Sequence, residues 1–233
     1  MERIKNELKR VKLIDNAFYT IESCYIPKLY SDSCESNETL NEFYCLEEPT
    51  QVGVQLTAQM SHAFYSYLKY KANKHLESEK SYLRVITIRE YESKESYDLV
   101  LMDMETQTKH YIEIKLSQNN NSWQGSTSST SKVDLFLLVN FKIDRNKKLS
   151  TGNNSGLFVG VFAAIVNMKN KEWSGEPKNN SHRTKFEFKL DEWDLDILKE
   201  NCIIKGSLDA KRTLAHLVLE HVENEIPQYP HSF

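Results

Sequence analysis

The chain has 233 residues, with 30 Lys and Arg against 33 Asp and Glu, a formal charge of −3. That length suits one large domain with a sizeable core, and the near-even balance gives no global attraction to a polyanion. Any nucleic-acid contact therefore has to come from a local basic surface.

In chain order, residues 2–14 carry Ile4, Leu8 and Val11 at helical spacing, and nothing in Met1-Glu2-Arg3-Ile4-Lys5 resembles the start of a secretory signal. Residues 24–50 mix Ser, Glu, Asn, Tyr and Cys with weak periodicity and read as loops and short helical turns. From Val54 to Ala72, the positions Leu56, Met60, Ala63, Phe64, Tyr67 and Leu68 form one apolar stripe, which predicts an amphipathic helix.

Three strands are expected next, at Tyr82 to Ile88, Tyr97 to Met104 and His110 to Leu116, each rich in β-branched or aromatic residues. The last two should pair as a hairpin. A polar stretch runs from Ser117 to Ser131, and the apolar segments Val133 to Ile143 and Leu157 to Val166 read as buried central strands. The second of these is too short to cross a bilayer as a helix, which takes about 20 residues. A basic and aromatic loop from Asn167 to Lys185 precedes a further strand at Phe186 to Leu190. A terminal helix spans Asp209 to Glu223, with Leu214, Leu217, Val218 and Val222 on one face. This order describes an α/β domain built on a mixed sheet, in a soluble cytoplasmic protein with no membrane partner. The four cysteines, Cys24, Cys34, Cys45 and Cys202, lack the close pairing that brings two thiolates onto one zinc ion, and no chemistry is assigned to them.

Chemistry is suggested where strand alternation meets charge. In Tyr111-Ile112-Glu113-Ile114-Lys115-Leu116, the isoleucines and Leu116 face one side, and Glu113 and Lys115 face the other. Taken alone this is an ordinary pair for a solvated strand. Asp98, however, heads the apolar run Leu99-Val100-Leu101, where a carboxylate needs a polar partner. A turn centred on Thr106 and Gln107 would set Asp98 opposite Lys115 and Val100 opposite Glu113, gathering Asp98, Glu113 and Lys115 on one face. The same register puts the competing acid, Asp103, opposite His110, about 10 Å along the strand from Glu113. Such a cluster suits phosphodiester hydrolysis: carboxylates hold a hard Mg²⁺, and an ammonium stabilises charge developing at phosphorus or handles the nucleophile.

Asp98 and Glu113-Ile114-Lys115, fifteen residues from acid to acid and preceded by a helix, resemble the PD-(D/E)xK nuclease superfamily, especially type II restriction endonucleases. The resemblance covers roughly Val54 to Ile143, and Tyr97 stands where the motif has proline. It implies a restriction-endonuclease-like mixed β-sheet flanked by helices, in a single nuclease domain over residues 1–233. The core would be about 54–190, with an N-terminal extension 1–53 and a C-terminal helical segment 191–233. It also implies Mg²⁺ held at Asp98, Glu113 and Ile114, with Lys115 completing the catalytic group. The substrate would be double-stranded DNA, cut by a homodimer at a palindromic site to leave 5′-phosphate and 3′-hydroxyl ends. Many such enzymes carry a Glu on the helix before the sheet. Here that helix offers Gln55, Gln59 and His62, and the role is left unassigned.

Two segments are candidates for DNA contact. The first follows Lys115 directly and includes Ser117, Gln118, Asn119, Asn120, Asn121, Ser122, Trp123, Gln124 and Ser126, whose amides can pair with adenine and hydroxyls with phosphate. The second contains Lys171, Trp173, Lys178, Asn180, His182 and Arg183. A third, smaller basic group is Lys142, Arg145, Lys147 and Lys148. The competing readings are a structure-specific, repair or transposition nuclease, and a DNA-binding module without catalysis.

Overall fold

The computed structural model describes residues 1–25, 49–88, 97–118, 122–126, 133, 135–143, 157–167, 183–187, 197–198 and 200–204. The expected terminal helix at 209–223 lies outside them. Helices α1 (Glu2–Arg10) and α2 (Leu13–Thr20) are followed by a π-helical turn, Ile21–Tyr25. The expected single periodic stretch over 2–14 is broken at Lys12, whose backbone is left-handed (φ 51°). Val11 just before it is buried, so the break turns the chain without losing the apolar contact. Helix α3 (Pro49–Tyr70) begins earlier than the apolar stripe predicts, and α4 (Ala72–Ser78) follows it at once.

Five strands form a mixed sheet in the order β1-β2-β3-β5-β6: β1 Leu83–Ile88, β2 Leu99–Asp103, β3 Thr108–Ser117, β5 Leu135–Ile143 and β6 Phe158–Asn167. All neighbours are antiparallel except β3 and β5, which run parallel from Ile112↔Leu135 to Ser117↔Asn140. A parallel pair requires a crossover, and residues 118–134 supply it. That crossover carries β4 (Ser122–Ser126), which pairs antiparallel with β7 (Arg183–Glu187) in a separate two-stranded sheet. The stretch expected to be a polar loop thus contains a strand, and the strand expected at Phe186 to Leu190 starts earlier, at Arg183, with residues 188–190 outside the described ones. Beyond β6, Cys202 bridges Ala164, with Ile165 N–H donating to the Asn201 carbonyl and Ile203 N–H to the Ala163 carbonyl.

One face of the sheet presents Leu99, Leu101, Ile112, Ile114, Leu137, Val139, Phe141, Ala163 and Ile165 to the helices. Phe18 of α2 sits at the centre, with ring centroids 6.0 Å from Phe64, 5.9 Å from Phe141 and 4.9 Å from Phe158. Period-2 alternation sends Phe136, Leu138, Phe162, Ala164 and Val166 to the opposite face, where they are buried as well. Burial on both faces accounts for the nearly continuous apolar character of β5 and β6. No described helix is long and apolar enough to cross a membrane.

The hairpin register differs from the expected one. Leu99 pairs with Ile112, Val100 with Tyr111 and Asp103 with Thr108, a slip of two residues. The loop is Met104–Gln107, with Gln107 left-handed (φ 57°), and it is closed from below by Asp103, whose Oδ1 accepts the N–H groups of Glu105 and Thr106 at 3.0 Å each. A slip of two preserves which face each side chain occupies, so Glu113 and Lys115 remain on the face expected of them.

The central ring cluster makes Phe18 the residue whose truncation should cost most. Phe18→Ala is expected to lower the unfolding free energy by about 3–5 kcal/mol, read from urea denaturation, because it empties a site closed by three other rings.

Candidate functional site

The site forms where β2 begins and β3 passes from its antiparallel neighbour to its parallel one. Asp98, just outside the β2 ladder, gives its own N–H to the Ile112 carbonyl at 2.9 Å, and its Oδ2 accepts the Ile114 N–H at 2.8 Å. These two bonds straddle Glu113. The side chain of Asp98 thus satisfies a backbone donor that a longer β2 would have bonded, an obligation every buried amide carries. Asp98 therefore lies beside Glu113, where the expected register had set it against Lys115.

Glu113 projects from the opposite face to Ile112 and Ile114 and is 3 % exposed. Its neighbour across the parallel pair is Phe136, and that of Lys115 is Leu138. The Lys115 Nζ pairs with the Glu113 Oε1. Low accessibility matters here, since a buried carboxylate without a cation costs several kcal/mol. The structure therefore brings Asp98, Glu113 and Lys115 together: alternation accounts for the Glu113–Lys115 pair, whereas Asp98 joins them through a register two residues from the expected one. Ile114 joins them through its main chain, its side chain being in the core.

Asp103, the competing acid, is 1 % exposed on the opposite face of β2 and is engaged by Arg3 of α1, Nε to Oδ2 at 2.7 Å. Burial would raise its carboxyl, but the Arg3 guanidinium and the two turn amides outweigh this and hold it down at about 2. It opposes Thr108, not His110. Its role is structural.

Sequence reasoning missed Tyr65, on the helix where a further polar group had been sought. Its side chain hydrogen-bonds Asp98. Tyr65 follows the buried Phe64 and is itself half-buried at the margin of the apolar stripe, which made it look like a packing residue. His62 is exposed, and the side chains of Gln55 and Gln59 lie outside the described residues.

Two close carboxylates shape the electrostatics. Burial pushes the Asp98 carboxyl up to about 6, and the charge of Glu113 adds to the rise. The Ile114 amide, the Lys115 ammonium and the Tyr65 hydroxyl oppose it. Among the described residues, no three His, Cys, Asp or Glu side chains lie close enough to hold a metal by themselves. A cation here would rest on Asp98 and Glu113, completed by oxygens of the main chain, water or substrate. Mg²⁺ is commonly held that way, by one or two carboxylates. The Ile114 carbonyl belongs to the same edge of β3 as the amide that Asp98 holds, since a strand residue turns both groups to one neighbour. The donor set is all oxygen, carries two potential negative charges and fits a hard divalent cation.

The DNA-contact candidates are distributed unevenly. Ser117 is buried at the end of β3, and Gln118 is half-buried after it. Trp123 is 1 % exposed and its indole N–H donates to the Val139 carbonyl at 3.2 Å, so its ring is committed to packing. Ser122, Gln124 and Ser126 lie on β4, and the β4–β7 pairing sets Gln124 against Lys185 and Ser126 against Arg183. Parts of the amide-rich and basic segments are therefore side by side in one ribbon. Asn119, Asn120, Asn121, Lys171, Trp173, Lys178, Asn180 and His182 lie outside the described residues, as do Arg145, Lys147 and Lys148. Of the cysteines, Cys24 and Cys202 are free thiols, and Cys34 and Cys45 lie outside the described residues.

No family model, curated protein or solved structure matches the chain.

The raised Asp98 carboxyl has a consequence for stability. Between the reference value of 3.8 and about 6, the folded protein holds this proton more tightly than the unfolded chain. Stability from this group therefore falls as pH rises through that window, and the full cost is present above it. Asn is neutral throughout and can still accept the Ile114 N–H. In EDTA, Asp98→Asn should be more stable than wild type by about 1–3 kcal/mol at pH 8, with the gain vanishing near pH 4. Urea unfolding at the two pH values measures this, and a pH-independent gain would exclude the carboxylate as its source.

Proposed function

We propose that the protein is a Mg²⁺-dependent endonuclease that hydrolyses phosphodiester bonds in double-stranded DNA, with a restriction-endonuclease-like fold of the PD-(D/E)xK type. The observation that carries this reading is the convergence of the Asp98 carboxylate with the Glu113–Lys115 pair at one end of the sheet, beside the Ile114 main chain. A purely structural ion pair would not explain a second, half-buried acid set against the buried one. Burial, with the neighbouring Glu113 charge added to it, raises the Asp98 carboxyl and is costly for the folded chain, a cost that a bound cation would offset.

Asp98 and Glu113 would hold the cation, together with the Ile114 carbonyl. A Mg²⁺ ion held there would supply Lewis acidity towards the phosphate and the attacking water. Glu113 keeps the Lys115 ammonium at the site, where it can orient the attacking water and stabilise negative charge building on the phosphoryl oxygens. The apolar neighbours Phe136 and Leu138 lower the local dielectric and strengthen those interactions.

Support for DNA as the substrate comes from the β4–β7 ribbon. β4 follows β3 in the chain and packs against it, and its partner strand carries Arg183 and Lys185. Two-stranded ribbons are of a width that enters the major groove, and basic side chains supply phosphate contacts.

Incubation of long mixed-sequence duplex DNA with the protein and Mg²⁺, followed by end mapping, tests the reading. Discrete fragments with 5′-phosphate ends are expected, a smear would indicate cleavage without sequence preference, and intact DNA would withdraw the catalytic reading. Lys115→Ala should lower the cleavage rate by about 10²–10³-fold or more while leaving DNA binding in Ca²⁺ largely intact. Asp103→Asn should weaken folding and leave the rate of the folded fraction near wild type.

A further inference from the structure

We propose that Tyr65 is a positioning residue for the acidic site, its hydroxyl fixing the Asp98 carboxylate in the orientation that receives the divalent cation. The inference rests on the metal-dependent reading above and extends it to a residue on α3. Asp98 stands just outside the β2 ladder, and its side chain is anchored to β3 from one side. One of its oxygens is tethered to the Ile114 amide at 2.8 Å, and that single bond still leaves rotation about it. The hydrogen bond from Tyr65, arriving from the helix layer, removes this freedom.

Tyr65 is suited to the task by its mounting. Phe64, Tyr67 and Leu68 on the same helix are fully buried, which fixes the rotation and height of α3 over the sheet. The phenol brings a donor without a charge, so it orders the carboxylate without competing electrostatically for it, as a lysine or arginine would. An ionised carboxylate has about four acceptor positions. The Ile114 amide and the Tyr65 phenol are two of the donors that order it.

Groups that orient a metal-binding side chain typically contribute about 10–100-fold to metal affinity. The test is Mn²⁺ binding to the full chain by electron paramagnetic resonance, which reads affinity without DNA or turnover. Tyr65→Phe keeps the ring and is expected to raise the Mn²⁺ dissociation constant at least about 10-fold with little change in melting temperature. Tyr67→Phe is the control: it removes one hydroxyl from the same helix, but one that donates to the Asn16 Oδ1 at 2.8 Å, away from the acids. It should lower thermal stability and leave Mn²⁺ affinity at the wild-type value.

Two results would overturn the Tyr65 inference alone: wild-type affinity in Tyr65→Phe while Asp98→Ala loses the ion, or equal weakening in Tyr65→Phe and Tyr67→Phe. Absence of Mn²⁺ binding by the wild-type protein would overturn it together with the metal-dependent reading.

Discussion

The β2–β3 hairpin can place its acids only if its register is held, and the buried carboxylate of Asp103 holds it from two directions. One oxygen takes two amides of the turn, and the other takes the guanidinium of Arg3 from the first helix. Arg3 also lies over the Tyr82 ring at 4.1 Å, and the Tyr82 hydroxyl donates to the Arg3 carbonyl. A single acid therefore joins the chain's beginning, the start of β1 and the tip of the hairpin. Moving the register by one residue would turn Glu113 and Lys115 into the helix-facing core and bring Ile114 out in their place.

The buried charges divide into two kinds. Glu7 is satisfied by Arg10 and Ser81, and Glu22 accepts the Phe158 amide, so each ties one element to another. Asp98 is held by donors too, yet it lies against another acid. Structural carboxylates such as Glu7 and Asp103 are held below their ordinary range by their partners, whereas Asp98 is pushed above it. That contrast within one small protein is the physical basis for treating the Asp98 end of the sheet differently from the rest.

Much of this was legible in the residue order because it depended on periodicity. Alternation put Glu113 and Lys115 on one face whatever the exact pairing, and the apolar runs located β5 and β6. The register differs from the expected one by two residues, because Asp103 organises a four-residue loop in place of a two-residue turn. An acid followed closely by Thr106 and Gln107 was the available signal, as Asp side chains commonly bond backbone amides just ahead of them. The break at Lys12 had no glycine or proline to mark it. Strand β4 was hidden by its Ser, Gln and Gly content, for it owes its form to pairing with a distant segment. Tyr65 was beyond periodicity altogether, because its contact with Asp98 depends on how one helix is rotated over the sheet.

At the outer edge of the sheet, the Asn73 amide of α4 donates to the Val85 carbonyl and accepts the Val85 N–H, both at 2.8 Å. A side chain thus imitates the strand that would otherwise lie beside β1. Exposed edges invite pairing with another chain, and this one has its central rung already taken. Edge-to-edge addition of another strand at Val85 would first have to displace the Asn73 side chain.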